Sequence, residues 1–223
     1  MNRTLFMQAV TRFLAGLFMV AVLLFIPAGT WDYPQGWLLM MILFVPMFIA
    51  GLVMMKKDPD LLKKRLSVKE KESEQRLVII SSGIMFFAAF IAAGLSFRYG
   101  LMMLPPPISV IAALIFLAAY ALYAEVLREN AFLSRTVEVQ KEQRVIDTGL
   151  YGIVRHPMYM ATVLLFLSMP LVLGSVLSFV IMLAYIPIIM KRIRNEEKVL
   201  SEGLKGYAEY KIKVKYRLIP FVW

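Results

Sequence analysis

MYMATVLLFLSMPLVLGSVLSFVIMLAYIPIIM, residues 158–190, is an apolar run of about 33 residues interrupted by Pro170, Gly174 and Pro187. Roughly 20 residues cross a hydrocarbon core of about 30 Å, so the run is long for one span and short for two. The charges on its flanks decide. Residues 191–217 behind it carry nine Lys and Arg, and 128–155 ahead of it carry five. Basic segments stay on the cytoplasmic side of a membrane. Both flanks therefore belong on one side, and the run reads as a hairpin of two tilted legs turning near Leu171 to Ser175. Its first leg is short enough to be re-entrant, buried against other helices rather than in lipid.

Working outward, four more apolar stretches precede the hairpin: Phe13 to Ile26 with a more polar lead-in from Leu5, Gly36 to Met55, Leu77 to Phe97, and Ile108 to Leu127. In a chain of 223 residues that is 60% hydrophobic, with a mean hydropathy of +0.71, they predict membrane spans. The first is expected to be a retained helix, because Pro27, Gly29, Trp31 and Asp32 form no small-residue cleavage pattern. Arg12 in its first turns is expected to snorkel to the interface. If each run crosses once, every basic residue except Arg98 falls on one side, with Arg3 and Arg12 at the N-terminus and eight more in 56–76. The turns at Trp31–Trp37 and Pro105–Pro107 fall on the other. The net charge of +10 thus marks membrane topology and not nucleic acid. Asp58-Pro59-Asp60 opens a short amphipathic segment that either lays Leu61, Leu62 and Leu66 against the membrane or serves as a solvated connector.

The expected fold is all-α: a polytopic membrane helix bundle of four spans plus a C-terminal helical hairpin, with a cytoplasmic pocket and cytoplasmic termini. Residues 1–128 supply the N-terminal transmembrane helices, and 129–223 the region able to carry chemistry, within one membrane domain overall.

Zero cysteines exclude disulfides and thiolate nucleophiles, and the single histidine, His156, leaves little material for a metal site, so none is expected. Chemistry gathers where the hairpin brings 140–160 beside 191–217. Proline favours the first helical position, so Arg155-His156-Pro157 predicts a helix starting at Pro157 with His156 as its N-cap. The unpaired amides of that first turn form an anion site with Arg155 and His156. At the far end of the hairpin, Arg192 and Glu196 are four apart on one helix face, with Arg194 and Glu197 beside them. Such a pair can hold a substrate carboxylate and a polar group of a cofactor. Taken singly, the first element also reads as a lipid-phosphate anchor and the second as a surface ion pair; their convergence on one mouth favours a site.

The string Gly149-Leu150-Tyr151-Gly152-Ile153-Val154-Arg155-His156-Pro157-Met158-Tyr159, followed by Glu196-Glu197-x-x-Leu200 and Tyr207-x-x-Tyr210, resembles the isoprenylcysteine carboxyl methyltransferase family and its phospholipid N-methyltransferase relatives over about residues 120–220. Met160-Ala161 and Gly203-Leu204-Lys205-Gly206 depart from the family's usual pattern. The resemblance implies an S-adenosylmethionine pocket built without a Rossmann glycine fingerprint, releasing S-adenosylhomocysteine. By it, Gln140, Val145, Ile146 and Tyr151 line the adenosine region; Arg155, His156, Pro157 and Tyr159 hold the amino-acid end; Glu196 or Glu197 holds a polar group of the cofactor; and Arg192 orients the acceptor, with Glu196 as its catalytic partner. Partners implied are the lipid bilayer and a lipophilic or prenylated acceptor.

Methyl transfer from a sulfonium needs alignment more than a covalent nucleophile. A carboxylate acceptor is already ionised at neutral pH, whereas ethanolamine needs a base; O-methylation is the preferred reading and N-methylation of a phospholipid the alternative. Tyr120, Tyr123 and Glu125 are candidates for the acceptor's route or for ordinary packing and pairing. Two rival functions are an NADPH-dependent reductase of lipid double bonds, with Arg144, Arg155 and Arg192 as a phosphate clamp, and a non-catalytic membrane scaffold.

Overall fold

The computed structural model describes residues 3–66, 73–133 and 139–223. Residues 67–72 of the basic 56–76 loop, and 134–138 of the 128–155 segment, lie outside the described residues. The chain runs through α1 (Arg3–Ala28), α2 (Pro34–Lys57), α3 (Pro59–Leu66), α4 (Ser73–Tyr99) and α5 (Pro106–Glu129), then a short 3₁₀ turn at Gly149–Gly152. It continues into α6 (Pro157–Val172), α7 (Val176–Met182), α8 (Tyr185–Gly203) and α9 (Tyr207–Lys213). α2, α5 and α6 each begin on a proline, whose fixed φ suits the first turn and whose missing N–H has no partner there anyway.

Five helical stretches among the described residues are long and apolar enough to cross a membrane: α1, α2, α4 from Arg76, α5, and Val176–Gly203, which joins α7 to α8. Phe18, Ile26, Ile84 and Leu114 are each more than half exposed on their outer faces, an apolar belt suited to lipid and costly in water. This is a polytopic, multi-pass helical membrane protein.

The hairpin turns at Leu173–Ser175. Gly174 takes φ +72, and the Ser175 hydroxyl caps α7 by accepting from the Ser178 amide at 3.1 Å. The second leg breaks at Leu183–Ala184, four residues ahead of Pro187, as expected where a proline ring clashes with the carbonyl four back. α6 has 16 residues, about 24 Å at the α-helical rise. It nevertheless runs the height of the bundle, because its tip is pinned to the turns at the far end. The Leu104 amide donates to the Gly174 carbonyl at 2.8 Å and the Val176 amide to Met102 at 3.2 Å. Ser175 and Ser96 hydroxyls meet at 2.9 Å, and the Tyr33 hydroxyl donates to the Leu173 carbonyl at 2.8 Å. Both legs therefore pass from one end of the bundle to the other.

The main core joins Leu24 and Phe25 of α1, Leu39 and Phe44 of α2, Ala93 of α4, Phe116 of α5, and Met169 and Val172 of α6. α1 and α4 approach closely at Gly94, where a Cβ would lie 2.5 Å from the Leu24 carbonyl oxygen.

One expectation is corrected. Leu61 and Leu62 of α3 are buried within the protein instead of lying against lipid, and Leu66 is half-buried. Asp58 accepts from the Leu61 amide at 2.9 Å, turning α3 back at the end of α2. Arg65 then reaches Met158 Sδ at 3.7 Å and lies over the Tyr123 ring. Arg12 donates to the Leu66 carbonyl, so its position is set by a protein acceptor.

Candidate functional site

The site forms at the end of the bundle where α5 finishes, α6 starts and α8 becomes polar. The Glu129 carboxylate at the end of α5 accepts from the Leu150 amide at 3.1 Å. The carboxylate occupies the space that a Cβ on Gly149 would need, and Gly149 also has φ +53; only glycine satisfies both demands. The resulting 3₁₀ turn carries Tyr151 inward, and the Tyr210 hydroxyl of α9 locks it by donating to the Tyr151 carbonyl at 2.7 Å. Residues 155–156 then run beside 216–217: the Arg155 amide donates to Tyr216 and the His156 amide to Arg217, both at 2.9 Å. His156 is the N-cap residue of α6 and Pro157 its first residue, although no side chain caps the helix.

Glu196 and Glu197 take different directions because consecutive helical residues are about 100° apart. Glu197 is buried and accepts from Arg155 Nε at 2.7 Å and Arg217 Nε at 2.8 Å, with His156 Nε2 at 3.2 Å. Arg155 also donates through Nη1 to the carbonyls of Val214 and Lys215, at 2.7 and 2.8 Å. This clasp satisfies buried charges that would be costly alone, and it ties α8, the start of α6 and the C-terminal segment together. Outside it, Lys213 pairs with Asp147 at 2.6 Å, and that bond holds the Asp147 carboxyl below its ordinary value.

Glu196 belongs to a second chain of contacts. The buried Tyr159 hydroxyl donates to Glu196, and Arg192 Nε donates to the same hydroxyl at 2.9 Å. Arg192 and Glu196 share a helix face as their spacing predicts, with a phenol as the link between them. Beside them opens a cavity with a wide mouth. Val145, Ile146, Tyr151, Tyr207 and Tyr210 provide the apolar and aromatic wall, and Arg144, His156, Arg192 and Glu196 the polar one. The Tyr207 hydroxyl is buried there with no hydrogen-bond partner among the described residues. Burial pushes the phenols of Tyr151, Tyr207 and Tyr210 well above their ordinary range, so all three are neutral donors.

Of the residues singled out in the sequence, Val145, Ile146, Tyr151, Arg155, His156, Tyr159, Arg192 and Glu196 reach this cavity; Gln140, Pro157 and Glu197 do not line it. Gln140 is held in a local turn: its backbone amide donates to Gln143 Oε1 at 2.8 Å, its carbonyl accepts from the Gln143 amide at 3.1 Å, and its side chain donates to the Phe132 carbonyl. Pro157 is buried as the first residue of α6, and Glu197 is fully engaged in the clasp. Glu125 pairs with Arg128 at 2.8 Å away from the cavity, and Tyr120 donates to the Leu43 carbonyl at 3.0 Å within the bundle. Asn130, Leu200, Leu204, Tyr207 and Tyr210 are wall residues to which the sequence assigned no role, and Arg144, named only for the rival phosphate clamp, also lines the cavity. The Tyr207-x-x-Tyr210 spacing carried a signal for two of them; Arg217, the second guanidinium on Glu197, had none.

Residues 110–202 match the isoprenylcysteine carboxyl methyltransferase (ICMT) family. The chain is also similar to Delta(14)-sterol reductase TM7SF2 from Mus musculus, 29% identical over 91 residues, which is 40% of this chain and 22% of that protein. The alignment thus spans about a fifth of the reductase's length. The family match begins in α5 and ends in α8, enclosing Arg155-His156-Pro157, Tyr159, Arg192 and Glu196. This chain is accordingly an integral membrane protein similar to the ICMT family over residues 110–202, a region that carries Arg155, His156 and Glu197 of the clasp and the Arg192–Tyr159–Glu196 chain.

Proposed function

We propose that this protein is an S-adenosylmethionine-dependent membrane methyltransferase that O-methylates the carboxylate of a lipophilic acceptor, with its cavity and both termini on the cytoplasmic side. The observation that carries the reading is the Arg192–Tyr159–Glu196 chain on one wall of a cavity whose other wall is aromatic and ends in the unpartnered Tyr207 hydroxyl. A flat heteroaromatic base suits Val145, Ile146 and Tyr151; a ribose hydroxyl would satisfy Tyr207; an ammonium suits Glu196; and a carboxylate suits the amides at the start of α6 beside His156. The residues present therefore fit this cofactor, which supplies a methyl group on a sulfonium. Gln140, Pro157 and Glu197 support the same site from behind the wall, Glu197 by holding Arg155 and His156.

Arg192 orients the acceptor carboxylate and Glu196 fixes Arg192 through Tyr159. An ionised carboxylate needs no general base, so the chain's work is alignment and exclusion of water. The acceptor's apolar tail lies among the helices, and its head enters the mouth from the bilayer.

The likeness to a sterol reductase supports a second reading, reduction of a lipid double bond with NADPH. Against it, Arg155 and Arg217 already bind Glu197, and Glu196 places a carboxylate on the wall where phosphates would need cations. N-methylation of a phosphatidylethanolamine would require a base at the same wall. Calorimetric titration of the detergent-purified protein decides between the classes. Micromolar binding of S-adenosylhomocysteine without NADPH binding is the expected outcome; NADPH binding alone moves the cavity to the reductase reading, and binding of neither overturns both.

A further inference from the structure

Residues 218–223 form a hook on the flank of the bundle. Leu218 is buried in one cluster with Met85 and Ala89 of α4 and Tyr185 and Ile189 of α8, and Trp223 packs against that cluster. The amides of Arg217, Leu218 and Ile219 all donate to the Trp223 carbonyl, at 2.9, 2.9 and 3.2 Å. The Arg217 guanidinium lies over the Trp223 ring. Between these fixed points Phe221 is 88% exposed and Val222 75% exposed. Phe221 takes φ +66, a conformation that residues with a side chain seldom adopt.

Tyr185 and Ile189 occupy the last apolar turns of α8 before Lys191. The hook's root at Tyr216 and Arg217 is bonded to Arg155 and His156 at the start of α6, so it joins the bundle where the apolar belt gives way to the polar end. Lys211, Lys213, Lys215 and Arg217 lead directly into it. Exposed aromatic and aliphatic side chains next to a cluster of cations match the chemistry of an anionic lipid surface, and the patch is continuous with the lipid-facing belt. The segment before the hook also closes the clasp, since Tyr216 and Arg217 accept from the amides of Arg155 and His156.

We propose that residues 218–223 are an interfacial anchor, with Phe221 and Val222 inserted into the headgroup and upper acyl layer of an anionic bilayer, and that this insertion steadies the clasp at the cavity mouth. The proposal does not depend on the reaction. Replacing Trp31, Trp37 and Trp223 by Phe and introducing Phe221→Trp leaves a single indole at the anchor. In phosphatidylglycerol-containing vesicles brominated near the carbonyl end of the acyl chains, its emission is expected to be blue-shifted and quenched about twofold or more. Unquenched emission overturns the proposal, whether residue 221 then faces water or is covered by another copy of the chain. With both Phe221→Ser and Val222→Ser, amide exchange at 155–156 in vesicles is expected to rise severalfold; unchanged exchange overturns the link to the clasp.

Discussion

At the residue scale, the proposed reaction turns on one phenol. Tyr159 donates to Glu196 while accepting from Arg192, so removing its hydroxyl leaves both partners present but unaligned. Tyr159→Phe should lower turnover about tenfold, roughly the 1.4 kcal/mol of a hydrogen bond to a charged group, with the helical circular dichroism unchanged. Glu196→Gln should weaken S-adenosylhomocysteine binding by a hundredfold or so, about 2.7 kcal/mol, in the calorimetric titration. Arg192→Ala should leave that affinity near normal and cut the rate of acceptor methylation; an unchanged rate removes Arg192 from the mechanism. The residue types were legible beforehand, because Arg155-His156-Pro157 and Arg192-x-x-x-Glu196 carry the chemistry in their side chains and spacing. The separate fates of Glu196 and Glu197 were not. Adjacent in sequence, they are distinguished only by which face of α8 meets the cavity and which meets Arg155 and Arg217.

At the scale of elements, the hairpin is the feature that turns two patches distant in sequence into one mouth. Its apolar legs and the glycine between them could be read in sequence, as could each proline-initiated helix. Its height could not, since 16 residues of α6 suit either a full crossing or a re-entrant loop. The bonds from Leu104, Tyr33 and Ser96 to the tip decide the matter. Tyr33→Phe should therefore destabilise the tip by about 1 kcal/mol, leaving the buried Leu173 carbonyl without its donor, as a lower thermal midpoint in detergent would show. Gly94→Val should cost more, about 2–3 kcal/mol, by forcing α1 away from α4 at the Leu24 carbonyl. α3 was misjudged for a related reason. Its leucines have an apolar partner either way, and periodicity cannot tell a lipid surface from a protein one.

At the scale of the whole molecule, Glu197 joins three segments that are separated by about 40 and 20 residues of sequence, through Arg155, His156 and Arg217. Glu197→Gln leaves the buried Arg155 guanidinium and the half-buried Arg217 without their counter-charge and should cost about 3 kcal/mol, loosening the C-terminal segment before the transmembrane core. Limited proteolysis after Lys211 or Lys215 would detect it. The Asp147–Lys213 pair adds a pH-dependent contact to the same segment. Its folded-state carboxyl is depressed, so the contact stabilises the segment above the unfolded-state value and is lost as pH falls through the folded one.

The sequence by itself determined that the chain is a multi-pass helical membrane protein, because lipid demands long apolar runs with internally bonded backbone and the basic residues sort to one side of them. It also pointed to the proposed site, since the polar residues that interrupt so apolar a chain collect in two patches joined by a turn. Only the tertiary structure decided which glutamate faces the cavity, how far the hairpin extends and how Arg217 completes the clasp. Those outcomes depend on helix rotation and on contacts between distant residues, and many arrangements of the same local pattern would satisfy the sequence equally well.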